Sequence, residues 1–443
     1  MALKYIEKIK SVLLFSLIAL SLYLTFSIWS YTPNYEPIEQ MSTVDISIAE
    51  KRKVEEVIQP YKVVVQSNQQ LKGTIHEQRI EELFREIRDW RAVSLTLHSE
   101  KFGKKRVADT LKKEGALMIY YQGEVPFRAY ENVFKMSDVN VPESTFDRSI
   151  LKKEPKSGAY RLYFVNRQHE YYYEATTQIP QIAQYERFFT TWSEQIDDYV
   201  TIHTKGPSFI AVPAEDVTFE HQTYYQEEIN PTRFRDALFR DPNAVRRSQV
   251  NAHREEYADD HALMTVDTDL KMLHYVYPNA ESQEIAIPSE LLFNSIDFIN
   301  EHGGWTDEYR FVHIDPITRY VRFQLFVHGL PVYSDYAGTT EIVQNYGQTT
   351  AFRYNRPYYS FDSTLLLDRI DETIPSGVTI MRELKKQPRL EYDEIEDISP
   401  GYVMIQDPEQ RLFLLKPSWF YLVSGHWYRY DFDTKGGDVS GLE

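Results

Sequence analysis

The hydrophobic pattern of this chain opens with a stretch that does not alternate at all. No side chain is charged from Ser11 to Tyr35, and the dense apolar part, residues 11–29, is nineteen residues long. As a helix that part spans about 28 Å at ~1.5 Å per residue, against a hydrocarbon core about 30 Å thick. Residues 11–30 are therefore expected to form a transmembrane helix. Ahead of it, in a short tail at 1–10, Lys4, Lys8 and Lys10 outnumber the single acid Glu7, and lysines stay on the cytoplasmic side. Trp29 and Tyr31 follow at the far end, where amphipathic rings favour the headgroup layer. Lys4, Lys8, Lys10, Trp29 and Tyr31 are thus the expected membrane-interface anchors. A cleaved signal peptide would have a shorter apolar run, roughly 7–15 residues, and a small-x-small site; Ile28, Trp29, Ser30 and Tyr31 provide none. The chain is expected to cross the cell membrane once, N-terminus cytoplasmic and the large C-terminal part extracytoplasmic.

Past a proline-containing stalk at 31–41 the pattern turns to strands and helices. Residues 61–66 (YKVVVQ) are β-branched and strand-like. Thr74 is placed to cap a helix whose apolar residues Ile80, Leu83, Phe84, Ile87 and Trp90 recur at helical spacing. Strands follow at 92–97 and 115–121, then a hairpin whose arms at 160–165 and 170–176 flank Asn166-Arg167-Gln168-His169. A helix at about 178–195 closes a first α+β domain, 42–196. The second, 197–304, shows strands at 208–212 and 217–225, an Asn230-Pro231 helix start, and strands at 262–266 and 271–276. Its last helix runs from Pro288 to Gly303-Gly304, where glycine takes the left-handed conformation. The third, 305–443, is strand-rich. Val321, Phe323, Leu325 and Val327 point one way and Arg322, Gln324 and His328 the other; Gly329-Leu330-Pro331 breaks this strand and Val332 resumes it. Further strands are expected at 402–406, 411–416 and 419–423. The fold class is α+β, with one transmembrane helix followed by a three-domain extracytoplasmic region of mainly antiparallel sheets.

Composition narrows the function. Without the first ten residues the chain has 46 bases against 65 acids, a balance of −19, which argues against holding nucleic acid on a basic surface. There is no cysteine, so neither disulfides nor thiol chemistry contribute and the fold rests on its cores.

The motifs that resemble catalysis lack their partners. Ser149 and Lys152 match a Ser-x-x-Lys, but the Ser-x-Asn and Lys-Thr-Gly elements of that chemistry are missing and Pro155 denies the serine a long helix. His253, Asp259, Asp260 and His261 form an acidic cluster without the His-Glu-x-x-His spacing that puts two zinc ligands on one helical face; a solvated helix or loop accounts for it. Asp431-x-Asp433 begins like a calcium loop, yet Lys435 and Leu442 stand where oxygen ligands belong. No catalytic, metal or cofactor residues are therefore assigned. The aromatic groups Tyr171–Tyr173, Tyr224-Tyr225, Tyr358-Tyr359 and Trp419–Tyr421 suit either half-buried strands or a groove for a peptide, glycan or protein. Ser21 and Thr25 in the span lie four apart on one helical face, where small hydroxyl residues let a second helix approach; the alternative is a hydroxyl bonded to its own preceding turn.

Taken together these features resemble the YycH family of membrane-anchored accessory proteins. The resemblance rests on the basic start at 1–10, the single span, the stalk 31–36 (YTPNYE), the central run 234–247 (FRDALFRDPNAVRR) and the stretch 327–332 (VHGLPV). It implies a non-enzymatic protein that modulates the sensor histidine kinase WalK (YycG) of the WalK–WalR system, which controls cell-wall metabolism. It further implies YycI as a second partner, contact through transmembrane helices, and no catalytic residues. Membrane lipid, an unidentified extracellular ligand and no nucleic acid complete the expected partners. From the residues alone an alternative stays open: an extracytoplasmic binding protein for cell-wall fragments or peptides.

Overall fold

The computed structural model describes residues 14, 16, 17, 20–25, 48–131, 134–136, 141–154, 157–362, 369–407 and 409–431. The chain divides into two units, Met1–Asp45 and Ile46–Glu443. In the first, the described residues are helical, and Leu14, Leu17, Leu20, Leu22, Tyr23 and Leu24 are all exposed. No helix among the described residues is long and apolar enough to cross a membrane. Most of the expected span 11–30, the tail 1–10 and the stalk 31–41 lie outside the described residues.

The second unit contains two large sheets. Ten described strands form the first, in the order Ile210–Pro213, Asp197–Ile202, Gln70–Thr74, Lys62–Ser67, Leu117–Pro126, Thr145–Lys153, Tyr160–Asn166, Tyr171–Gln178, Arg91–His98 and Lys135–Met136. All neighbours are antiparallel except the last pair. Lys62–Ser67 is buried along its whole length, Lys62, Gln66 and Ser67 included, because both faces are covered. Val63 and Val65 pack with Ile80 and Leu83 of the helix Glu77–Ile87 and with Tyr185 of Ile182–Glu194. Val64 points the other way, into a cluster with Val107 and Leu111 of the helix Lys104–Leu111.

The second sheet has fifteen described strands and is mainly antiparallel; its one parallel pairing joins Leu330–Ser334 to Ile395–Asp407. Strands from both sides of residue 304 are woven into it. Met272–Val276 pairs with Ala351–Pro357, and Val217–Glu228 pairs with Leu412–Val423. The helix Pro288–Glu301 seals one face through Leu291, Leu292, Ile296 and Ile299. It ends at Gly303 and Gly304, both with positive φ, as the glycine pair predicts. Asn230 caps the helix Pro231–Leu238 by accepting from the Thr232 amide, again as the residues predict.

Three local expectations are corrected. Thr74 ends the strand Gln70–Thr74 and accepts from the His76 amide; His76, without a side-chain cap, starts the helix. Gly329-Leu330-Pro331 does not interrupt one strand. His328 and Gly329, at φ 50 and 77, form a two-residue turn, and Phe326 and Val327 pair back onto Pro331 and Leu330. Positive φ at both turn residues is what a tight antiparallel hairpin needs. The strands expected at 411–416 and 419–423 are one strand, Leu412–Val423, because Pro417 and Ser418 keep the ladder to Tyr402 and Gly401. His253 lies in the turn of an exposed hairpin, Arg246–Asn251 with Arg254–Ala258, in keeping with the loop alternative of its solvated reading.

Candidate functional site

Where the two sheets face each other they enclose a cleft of about 890 Å³. A buried charge network joins the sheets beside it, and Asp147, Arg148, Arg167 and Glu396 of that network line the cleft. Lys62 and Asp397 are 1% and 0% exposed, and their ion pair closes at 2.5 Å. Asp397 also accepts from the Tyr61 hydroxyl at 2.5 Å, and Arg148 stands 3.8 Å from it. Lys62 Nζ and the Arg148 guanidinium both lie over the Tyr120 ring, at 4.3 and 4.4 Å. On the cleft side Arg167 donates to Asp147 at 2.5 Å and approaches Glu396 at 3.9 Å. Cations of the first sheet thus meet acids of the Ile395–Asp407 strand. Charges buried this deeply are tolerated only when paired and hydrogen-bonded.

The electrostatics follow from burial. Loss of water pulls the Lys62 ammonium down to about 8, although Asp397 favours its charged form. Burial pushes the Tyr61 hydroxyl well above its ordinary value, and the neighbouring Asp397 charge adds to this. Burial would raise Asp147 too, but Arg167 and Arg148 together hold its carboxyl below the ordinary value.

Further along the cleft, Gly123 packs against the backbone of Val312; a Cβ there would lie 2.5 Å from the Val312 carbonyl oxygen. Arg322 pairs with Glu341 at 3.3 Å on the opposite wall. His313 on the same wall is exposed at the cleft, and partial desolvation together with the neighbouring Arg322 charge lowers its imidazole to about 4.

The residues singled out from sequence are placed as follows. Thr25 Oγ1 donates to the Ser21 carbonyl at 2.9 Å, one turn back in the same helix. Lys4, Lys8, Lys10, Trp29 and Tyr31 lie outside the described residues. Ser149 and Lys152 are on the strand Thr145–Lys153; at odd spacing they point to opposite faces, and Lys152 pairs with Glu154 instead. Among the described residues no group of three or more His, Asp or Glu could hold a metal ion. His253 pairs with Asp269 at 2.8 Å in solvent, and of the calcium-like tail only Asp431 is described. The aromatic groups are mostly core: Tyr172, Tyr173, Tyr224, Tyr358, Tyr359, Trp419, Phe420 and Tyr421 are buried.

Sequence reasoning did not find the charge network, because Lys62 and Asp397 are 335 positions apart. A signal was nonetheless present. Lys62 is the lone charge of a strand built on Val63–Val65, and a strand lysine with both faces covered needs a buried anion.

Comparison with known proteins gives a consistent picture. Residues 7–190 match the family described as YycH protein, N-terminal domain, and residues 208–437 match YycH protein, C-terminal domain. The chain is 21% identical over 440 residues to the two-component system WalR/WalK regulatory protein YycH of Bacillus subtilis (strain 168), covering 95% of each chain. Its fold superposes on the crystal structure of YycH from Bacillus subtilis with a TM-score of 0.72, at 19% identity, over 88% of this chain and 100% of that one.

Proposed function

The chain belongs to the YycH family, and from that premise we propose that it is a non-enzymatic regulator of a two-component system. In this reading it modulates the WalK sensor histidine kinase, which controls cell-wall metabolism, in concert with YycI. The observation that carries the proposal is the length of the match: alignment to a protein named as a WalR/WalK regulator runs through 95% of both chains. The separation of Ser149 from Lys152 on opposite strand faces supports a role without catalysis.

The site of action we propose is the helix at 11–30, crossing the cell membrane with its N-terminus in the cytoplasm. Lys4, Lys8, Lys10, Trp29 and Tyr31 set its depth in the lipid, and Ser21 and Thr25 face the spans of the kinase and YycI. Exposed leucines along the described part of this helix support a lipid environment, because such a surface is costly in water. The Thr25 bond to Ser21 does not oppose helix contact. A hydroxyl that donates within its own helix keeps acceptor lone pairs for a neighbour.

The test is affinity purification of the tagged full-length protein from membranes, beside a variant whose 11–30 segment is polyleucine. Recovery of kinase and YycI with the native span, and loss of both with polyleucine, is the expected result. Recovery in both preparations would move the contact to the large C-terminal part, and recovery in neither would overturn the reading.

A further inference from the structure

Three polar atoms of residues lining the cleft are buried and have no hydrogen-bond partner among the described residues: Gln122 Nε2, Glu124 Oε1 and Arg322 Nε. Leaving a buried donor or acceptor unpaired is costly, so folded proteins rarely keep such groups without a use. Two of them, on Gln122 and Glu124, sit at an irregularity in the first sheet. The ladder between Leu117–Pro126 and Thr145–Lys153 stops at Tyr120 opposite Arg148 and resumes at Val125 opposite Phe146. The intervening residues 121–124 therefore bulge, and a bulge re-aims side chains, often beside a binding site. Gln122 and Glu124 are carried on that bulge.

Arg322 comes from the opposite wall. Its Nη1 serves Glu341 at 3.3 Å, which leaves Nε without an acceptor. Tyr333 connects the two walls: its side chain lies beside that of Gln122 and within the field of Arg322. Two donors from different sheets thus converge near one tyrosine, with an acceptor, Glu124, two residues along the bulge. Apolar surface from Val312, Tyr320, Leu422 and Trp427 lies in the same cleft.

We propose that this cleft binds a short peptide with a free carboxylate, the carboxylate bridging Arg322 and Gln122 and a peptide N–H or ammonium donating to Glu124. The class follows from what the walls lack. Two N–H donors call for an anionic or carbonyl oxygen, Glu124 calls for a donor, and the apolar walls call for hydrophobic side chains. A fatty acid supplies no donor and a simple sugar supplies no anion, whereas a peptide supplies all three. The volume, about 890 Å³, suits a ligand of a few residues, since pockets of about 300–1,000 Å³ hold small molecules. The site gives the proposed regulator something to sense, and it rests on that reading only for its purpose.

The experiment uses the full-length protein in lipid nanodiscs and a randomised tetrapeptide pool, with a second pool of the same peptides amidated at the C-terminus. Peptides retained after gel filtration are identified by mass spectrometry, and their affinities are measured by calorimetry. Free-acid peptides are expected to be retained, and their amides to bind at least about tenfold more weakly, the scale of losing a hydrogen bond between charged groups. Arg322→Gln and Gln122→Ala should each weaken the same peptides by a similar factor, while thermal unfolding checks that each variant is folded. Retention of nothing from either pool overturns the proposal. So does equal binding of acids and amides, a comparison that needs no variant. Kinase recovery in the span-swap experiment is independent of peptide retention, so the failure of one reading is distinguishable from the failure of the other.

Discussion

Asp397 is the residue on which the junction of the two sheets depends most, because it answers both Lys62 and Tyr61 with no exposure to water. Removing one partner of a buried pair leaves the other uncompensated, at about 3–5 kcal/mol. Asp397→Asn should therefore lower the unfolding free energy by about that amount at neutral pH, read by urea denaturation. The deficit should also narrow as pH rises toward 8. Lys62 already has its folded value lowered from 10.5 to about 8, with Asp397 opposing that shift, so the variant lowers it further. Below 8 the variant's folded state then sheds the lysine proton while its unfolded state keeps it, and stability rises with pH. A loss below about 1 kcal/mol, the scale of a solvent-exposed pair, would show that the network is better hydrated than its geometry indicates. Asp307 tests the opposite sign. Burial raises its carboxyl from 3.8 to about 7, and its Oδ2 is buried without a partner among the described residues. The folded state therefore binds more protons than the unfolded chain between those values, and stability falls as pH rises from 4 to 7. Asp307→Asn should flatten that decline and stabilise the protein at pH 8; a variant less stable than the parent there would refute the assignment.

At the scale of elements, the turn at His328-Gly329 joins two strands of the second sheet and also touches the first layer. A Cβ on Gly329 would stand 2.7 Å from the Glu77 Cβ, and its φ is +77. Gly329→Ala combines backbone strain with overpacking, each costly, and should destabilise by about 1–3 kcal/mol in equilibrium unfolding. An effect within ~0.5 kcal/mol, as for ordinary surface sites, would mean that the helix Glu77–Ile87 gives way freely. This turn also shows what the sequence hid. Gly-Leu-Pro signals a break, but whether the chain then continues or folds back depends on the φ of His328, which a histidine does not advertise. Elements with an apolar repeat or a clear end signal were legible: the helices near 80 and 185, those near 235 and 295 from Asn230-Pro231 and from Pro288 with Gly303-Gly304, and the strands read at 61–66, 160–165, 170–176 and 321–327. The hairpin Arg246–Asn251 with Arg254–Ala258 was not, because its first strand is exposed throughout and no buried face imposes an alternation. Thr145–Lys153 was missed for the reverse reason. Asp147, Arg148 and Ser149 are polar yet buried, and the partners that make this tolerable lie in distant segments.

The whole molecule is organised by those distant partners. The cleft has walls from both sheets, lined by Arg148, Arg167 and Glu396 beside the buried Lys62–Asp397 pair; no local pattern places such positions together. Family membership could be read from motifs spread along the chain, whereas the geometry of the candidate site could not. The same long-range connectivity bears on the division at 304 suggested by the pattern of elements. Hydrogen bonds between Met272–Val276 and Ala351–Pro357, and between Val217–Glu228 and Leu412–Val423, cross that position. A segment can unfold by itself only if few such pairings are broken, and an antiparallel sheet shares its ladder across every neighbour. Native-state hydrogen exchange of the full-length protein should therefore give similar opening free energies for amides in Met272–Val276 and Ala351–Pro357. The first sheet shares no strand ladder with the second and meets it through the Lys62–Asp397 network, the Arg310–Glu77 pair and packing that includes Val312, Phe326, Gly123 and Gly329, so it can open at a different free energy. Asp397→Asn should widen that difference by weakening the junction while leaving the strand pairings within the second sheet intact. Protection of 351–357 that persists after 272–276 has opened would instead support a domain boundary at 304, and the strand pairings across it would then be secondary to the cores on either side.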